Sequence, residues 1–204
     1  MWYVGAMTAA LAAWILVLMT YLAPSAPWRD TYAGTAAVIA QTSASSPLFE
    51  GRLGSLKTAA LYVSLTLFES SFRPDAEGDC TDDKTRKAVA SIGGRCPAGA
   101  TPHSFCLFQV SETNFATLGV NREQVQTSVD VCTDSASKMA HASFAICRTA
   151  GRSLDERLGN YAYGRGTCGG PKGEGLSESR HRMTKATWLF KNHGPPQTLL
   201  DLLP

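Results

Sequence analysis

The N-terminal segment constrains this chain most, because its first 28 residues carry no charged side chain and the first charge is Arg29. As a helix, the apolar run from residue 2 to residue 23 would span roughly 33 Å, about the thickness of one bilayer core. Aromatic side chains stand near both ends of the run, as is typical of membrane interfaces: Trp2, Tyr3, Tyr21 and Trp28. We therefore predict a transmembrane helix within residues 1–28.

A cleaved signal peptide is the alternative interpretation of this segment. Signal peptides normally have a basic N-terminal region and a shorter apolar core, and the sequence shows neither. The stretch "APSAP" offers small residues for cleavage, but Pro27 directly after Ala26 makes a poor scissile bond. We favour an uncleaved anchor, and cleavage stays open as the alternative.

Six cysteines lie C-terminal to the apolar segment and indicate where the rest of the chain resides. They form no CxxC pair, and their spacing does not suit a zinc site. An even number of dispersed cysteines behind a membrane signal is typical of disulfides in an oxidising compartment, which outweighs the opposite orientation that Arg29 favours. We predict a membrane-anchored chain with its domain in the periplasm or another extracytoplasmic space, or associated with a virion. The pairing stays open among Cys80, Cys96, Cys106, Cys132, Cys147 and Cys168.

Length and charge limit the number of domains and the classes of partner. The chain has 204 residues and a net charge of +2, with 18% charged residues. This length suits one domain with an anchor and tails, and the charge balance does not predict a nucleic-acid partner. We divide the chain into a transmembrane anchor or signal segment, a stalk rich in Ala, Ser, Thr and Pro, a helical domain and a C-terminal tail. These units cover residues 1–28, 29–50, 51–192 and 193–204.

A helix with an acid at its end is the main candidate for chemistry. From residue 56, apolar residues recur at helical spacing on two adjacent faces, which predicts a core helix. Glu69 lies on the remaining narrow face, and Pro74 predicts that the helix ends near Phe72. Apolar surroundings raise the pKa of a carboxyl group, so that it keeps its proton near neutral pH. Glu69 is therefore a candidate general acid, and a purely structural buried glutamate is the alternative.

The rest of the chain is predicted to be mostly helical with few strands. Residues 75–104 are polar and read as a long disulfide-pinned loop, and the apolar run 105–110 predicts a strand or a buried turn. Further helices are expected within 111–119, 121–151, 153–163 and 177–192. The densest basic cluster is interpreted as a solvated helix face: Arg180, Arg182 and Lys185. The four histidines form no HExxH motif, so we predict no metal site.

Three sequence blocks resemble one known family. "ESSFRPDA" (69–76) resembles the E-S-x-F-x-P-x-A signature of the lytic transglycosylase SLT-type domain, a relative of goose-type lysozyme. "CLFQV" (106–110) resembles that family's G-L-M-Q-[IV] block, and "LGNYAYGRG" (158–166) is similar to its L-A-A-Y-N-A-G-P-G block. The blocks occur in the family's order, which makes the resemblance more specific than any one of them alone.

The resemblance implies a fold and a set of site residues. The expected fold class is mainly α, a lysozyme-like helical domain with a substrate cleft, preceded here by the transmembrane helix. Glu69 would be the catalytic acid and base. Ser70 would form hydrogen bonds around the acid, Gln109 would line the sugar groove with its amide, and Tyr161 would place its hydroxyl near the carboxyl group. No cofactor is implied.

The resemblance also implies a reaction, namely cleavage of the β-1,4 bond between N-acetylmuramic acid and N-acetylglucosamine in peptidoglycan glycan strands. Glu69 would protonate the glycosidic oxygen and then take the proton of the muramoyl C6 hydroxyl, which closes a 1,6-anhydro ring. A tethered enzyme of this kind would open the wall locally for an envelope-spanning secretion or conjugation machine, or for a phage particle.

Three departures from the family's pattern keep two alternatives open. Ala162 replaces the family's asparagine, Cys106 replaces a glycine, and the interval between Glu69 and Gln109 is longer than in the family. A hydrolytic muramidase of the same bond would use a second carboxylate facing Glu69. The candidates for it, otherwise interpreted as solvated loop charges, are Asp75, Asp79, Asp82 and Asp83. A catalytically inactive glycan-binding envelope protein is the other alternative.

Overall fold

The computed structural model describes residues 2–148, 152–163, 168 and 174–203, and this part of the chain is mostly helical, as predicted. The helices are α1 (Trp2–Leu22), α2 (Tyr32–Ser45), α3 (Gly54–Ser70), α4 (Phe115–Leu118), α5 (Arg122–Thr127), α6 (Val129–Arg148), α7 (Leu154–Tyr163), α8 (Glu174–Asn192) and α9 (Gln197–Leu200). Short strands occur between α3 and α4: β1 (Glu77–Gly78), β2 (Cys80–Asp82), β3 (Ala88–Val89), β4 (Ala100–Thr101), β5 (Ser104–Phe105) and β6 (Val110–Ser111). Two 3₁₀ turns complete the described elements, Arg29–Thr31 and Glu112–Asn114.

Helix α3 lies at the centre of the fold and is buried on all sides along its middle. Its apolar faces join the hydrophobic core, while the hydroxyls of Tyr62 and Ser64 find partners on neighbouring helices. The Tyr62 hydroxyl donates to Oγ of Ser137 in α6 at 2.9 Å. The helix ends at Ser70 because Ser71 adopts a left-handed conformation with φ 52° and caps the last turn. The predicted end near Phe72 is therefore close to the observed one.

Helices α1 and α2 contribute to the same hydrophobic core as α3. The segment from Gly5 to Leu22 is long and apolar enough to cross a membrane, and 28% of it is buried in the fold. The buried positions on α1 are Leu11, Trp14, Ile15, Leu18 and Met19. The indole N–H of Trp14 also donates to the carbonyl of His193 at 2.7 Å, which ties α1 to the end of α8.

Residues 29–50 differ from the stalk that their composition predicts. Most of this segment forms α2, and Tyr32, Ala36 and Ile39 of that helix are fully or almost fully buried. The physical reason is that alanine is both a common linker residue and the strongest helix former. Small side chains also let two helix backbones approach closely, so an Ala-rich segment can pack on α1 instead of extending into solvent.

The region between α3 and α4 folds into two small antiparallel sheets with strand orders β1-β5-β6 and β3-β2-β4. The apolar run 105–110 forms the end of β5, a buried turn and the start of β6, which combines the two predicted alternatives. The N–H of Gln109 donates to the carbonyl of Cys106 at 3.0 Å and closes this turn.

All six cysteines are paired, as Cys80–Cys96, Cys106–Cys132 and Cys147–Cys168. The first bridge pins the predicted loop, and the second joins the β5–β6 turn to α6. Three disulfides confirm the predicted use of the cysteines and are compatible with an extracytoplasmic location.

The C-terminal tail packs on the domain. Leu199 and Leu203 are buried, and the guanidinium of Arg52 donates to the carbonyl of Leu200 at 3.1 Å. The tail therefore closes over the core beside α1 and the start of α3.

Candidate active site

Glu69 lies in the last turn of α3, and only 16% of its side chain is exposed. Burial raises the pKa of this carboxyl group above the ordinary value of a glutamate, because the charged form loses solvation. The guanidinium of Arg182 acts in the opposite direction, and the negative charges of Glu178 and Asp79 raise the pKa further. The carboxyl group thus combines shielding from water with a close cation.

Arg182 in α8 holds Glu69 directly. Its Nε and Nη2 both donate to Oε1 of Glu69, at 3.0 and 2.7 Å, while Nη1 donates to Oε2 of Glu178 at 3.2 Å. The Arg182 side chain is only 9% exposed, so the pair is mostly shielded from solvent. Such hydrogen bonds between charged groups are stronger than neutral ones.

The position of Arg182 corrects the prediction of a solvated basic face. Arg180 is exposed, as predicted, whereas Arg182 is buried beside Glu69. Helical spacing in the sequence indicates that Arg182 is buried, because this residue lies on the buried stripe of α8. The other members of this stripe are Ser179, Met183, Ala186 and Leu189. A charged residue on such a stripe requires a buried partner.

Ser70 joins the end of α3 to the second sequence block. Its hydroxyl lies 3.1 Å from the carbonyl of Thr66 and 2.8 Å from the carbonyl of Leu107, and donates toward both. The turn that contains Leu107 is therefore fixed beside the residue that follows Glu69.

Tyr161 joins α7 to the same turn. Its hydroxyl donates to the carbonyl of Phe108 at 3.1 Å, and its backbone N–H donates to Oγ of Ser143 at 2.9 Å. Burial raises the pKa of Tyr161 well above its ordinary value, and the negative charge of Glu69 raises it further. Tyr161 is thus a protonated hydroxyl within electrostatic reach of Glu69.

Gln109 braces its own turn. Its Nε2 donates to the carbonyl of Cys106 at 3.0 Å, and its Oε1 accepts from the Ser104 hydroxyl at 2.7 Å. A Cβ atom on Gly78 would lie 1.9 Å from this oxygen, so only glycine leaves room for the amide. The structure thus gives Gln109 a bracing role, and its contact with sugar stays a prediction.

The three sequence blocks meet at the 106–109 turn. Ser70 reaches the turn from α3 and Tyr161 reaches it from α7, while the Cys106–Cys132 bridge fixes it to α6. The third block is described only through residue 163, and the side chain of Ala162 and residues 164–166 lie outside the described part. The structure therefore brings together Glu69, Ser70, Tyr161 and Arg182.

No family model, curated protein or solved structure matches this chain. The sequence blocks and the geometry around Glu69 are therefore the features that bear on function. The sequence blocks, which are a pattern along the chain, and the cluster around Glu69, which is an arrangement in space, include the same few residues.

Asp79 is the acidic loop residue whose charge acts on Glu69. The other three acids have partners within the loop. Asp75 pairs with Arg73 at 2.8 Å and also with Arg95, Asp82 accepts the N–H groups of residues 84 and 85, and Asp83 accepts from Thr101. Among these four acids, Asp79 is therefore the one whose charge acts on Glu69.

A groove of about 390 Å³ lies elsewhere on the surface, between α7 and α8. Its lining includes Asp155, Met183, Trp188 and Lys191, and it does not include Glu69. Asp155 is 37% exposed and its Oδ2 lies 3.8 Å from Nε of Arg180, so it is less buried than Glu69, which is 16% exposed. We therefore assign the candidate chemistry to Glu69 rather than to this groove.

Proposed function

We propose that this chain is a peptidoglycan lytic transglycosylase, a glycosidic-bond lyase that uses Glu69 as its single acid and base. The observation that carries the proposal is a mostly buried carboxyl group with a raised pKa at the junction of the three sequence blocks. A lysozyme-like fold with a glycan-binding cleft beside Glu69 is part of the proposal. No cofactor is required, because proton transfer by one positioned carboxyl group suffices.

The proposed reaction moves one proton in each direction. Protonated Glu69 gives its proton to the glycosidic oxygen, and the bond from muramoyl C1 to that oxygen breaks with its electron pair going to the departing sugar. The C6 hydroxyl oxygen then bonds to C1, and its proton returns to the Glu69 carboxylate. Water is not consumed, and the product carries a 1,6-anhydro ring. Tyr161 and Ser70 would hold the turn that forms the wall of the site.

The proposal includes a location outside the cytoplasm, with the chain held at a membrane by α1. The apolar length of α1 and the three disulfides support this placement. The packing of α1 in the core with α2 and α3 supports the alternative role of a core helix. An enzyme held near the membrane would cut only the adjacent layer of wall. Its proposed use is a local opening for an envelope-spanning secretion or conjugation complex, or for a phage particle.

Digestion of purified sacculi with the full chain tests the reaction. We expect soluble muropeptides with 1,6-anhydro ends, which mass spectrometry distinguishes from reducing ends by the mass of one water. Reducing ends alone would instead establish a hydrolase. Binding to sacculi with no release of fragments would establish an inactive glycan-binding protein.

A hydrolytic muramidase is the second candidate, because Asp79 supplies a second carboxylate whose charge acts on Glu69. In that reaction a carboxylate activates the attacking water or stabilises the sugar cation while Glu69 protonates the leaving oxygen. Substitution of Asp79 separates the two reactions, because only the hydrolase would require its carboxylate.

A further inference from the structure

The Arg182–Glu69 pair is asymmetric in a way that bears on proton transfer. Both guanidinium hydrogen bonds end on Oε1 of Glu69, at 3.0 and 2.7 Å. Within residues 2–148, 152–163, 168 and 174–203, we find no hydrogen bond to Oε2 of Glu69. One carboxylate oxygen is thus held by the protein, while the other has no described partner.

Arg182 is itself fixed in place. Its backbone carbonyl accepts from the hydroxyl of Ser64, at 2.8 Å, so α8 is attached to α3 just before the turn that carries Glu69. Its remaining donor, Nη1, reaches Glu178 one turn earlier in α8, at 3.2 Å. The planar guanidinium therefore lies between a buried carboxylate and one that is 47% exposed.

We propose that Arg182 is the positioning residue of the acid, and that it holds Oε1 of Glu69 so that Oε2 exchanges the proton with substrate. This inference depends on the proposed acid–base role of Glu69. When Glu69 gives up its proton, negative charge appears on a carboxylate that already receives two hydrogen bonds from a cation, so no donor has to reorient. Glu178 also accepts a hydrogen bond from this guanidinium and therefore weakens the effect of Arg182 on the Glu69 carboxyl group.

Several groups face Glu69 and set its proton affinity. Arg182 lowers the pKa of Glu69, whereas Glu178 on α8 and Asp79 in the β1–β2 connection raise it. Tyr161 on α7 is a neutral hydroxyl within electrostatic reach of both members of the pair. Removing the cation and removing the competing anion should therefore shift the titration of Glu69 in opposite directions.

Two substitutions on α8 test the inference in the full-length protein. Arg182→Gln removes the cation, so the pH above which activity falls should rise, and the rate on the acid side should drop roughly 10- to 100-fold because a charge-assisted pair is lost. Glu178→Gln leaves the guanidinium of Arg182 to Glu69 alone, so the pH above which activity falls should decrease. Because Glu178 is half exposed, this variant should fold even if Arg182→Gln does not. Arg180→Gln, which changes the same charge at an exposed position of α8, is the matched control and should not move the profile.

A second measurement does not need activity. The carboxyl carbon of Glu69 is titrated by ¹³C NMR in the wild type and in both variants. Opposite shifts in Arg182→Gln and Glu178→Gln support the control of the Glu69 carboxyl group by Arg182. If these shifts occur while sacculi are not cleaved, the proposed function fails, and the control of Glu69 by Arg182 stands without it. An unchanged titration in Glu178→Gln, or shifts of both variants in one direction, would overturn the inference. Loss of activity in Arg182→Gln with an unchanged pH profile would also overturn it, because a merely structural role produces that result.

Discussion

Two carboxyl groups six positions apart in the sequence, Glu69 and Asp75, both contact arginine but occupy opposite environments. Glu69 is 16% exposed and paired with Arg182, whereas Asp75 is 47% exposed and bridges Arg73 and Arg95. The pKa of Glu69 is raised because burial outweighs the cation. Burial also acts on Asp75, but the hydrogen bond and charge of Arg73, together with the charge of Arg95, outweigh it and lower the pKa of Asp75.

The difference shows that an arginine partner does not by itself decide the direction in which the pKa of a carboxyl group shifts. Loss of solvation of the charged form raises the pKa, and the ion pair with arginine lowers it. The larger of these two effects sets the direction of the shift. In this chain the buried acid is suited to donate a proton, while the exposed acid is suited to hold a loop together. Substitutions at both sites test this division.

The largest effect is expected from Glu69→Gln, which keeps the shape of the side chain and removes the exchangeable proton. We expect the release of muropeptides to fall by about 10²- to 10⁴-fold, the usual contribution of a general acid. Glu123→Gln, the same change at an exposed position of α5, is the matched control and should leave the rate unchanged. Equal rates for both variants would remove Glu69 from the mechanism.

A smaller effect is expected from Asp79→Asn if Glu69 acts alone. Asp79 has φ 49°, a conformation that asparagine also tolerates, so the backbone should be preserved. Loss of the negative charge should lower the pKa of Glu69, so activity should fall at a lower pH while the maximal rate changes only several-fold. The pH–rate profile measures both quantities, with Asp83→Asn as the control.

The opposite outcome for Asp79→Asn would favour hydrolysis. A loss as large as that of Glu69→Gln, together with reducing ends in the wild-type products, would identify Asp79 as an essential second carboxylate.

The smallest effect is expected from Arg95→Gln, which removes one cation from the exposed pair. Arg95 is 44% exposed, and ion pairs at such positions typically contribute about 0–1 kcal/mol. Thermal or urea unfolding should therefore show a loss below about 1 kcal/mol, with an unchanged cleavage rate. A loss of activity comparable to that of Arg182→Gln would show that the two regions are coupled, which breaks the comparison.

Local signals in the sequence predicted a large part of the fold and part of the site. The helical periodicity after residue 56 and the position of Pro74 predicted α3 and its end, because both depend on neighbouring residues alone. The helices expected within residues 153–163 and 177–192 correspond to α7 and α8. Glu69 followed from the same reasoning, since an acid at the end of a core helix is unusual whatever surrounds it.

Contacts between distant parts of the chain could not be predicted in this way. Arg182 lies 113 residues from Glu69, and nothing in either segment alone specifies their pairing. The three disulfide pairings are also long-range, and spacing does not choose among the alternatives. The packing of α2 was missed because its composition suits both a linker and a helix.

The most direct test titrates both carboxyl groups in one sample of the wild-type protein. ¹³C NMR with assigned carboxyl carbons should give Glu69 a midpoint above that of a glutamate in an unstructured peptide. In the same experiment Asp75 should give a midpoint below that of a free aspartate. A Glu69 midpoint at or below the peptide value would contradict the account, because the acid would then have lost its proton before any glycan could receive it.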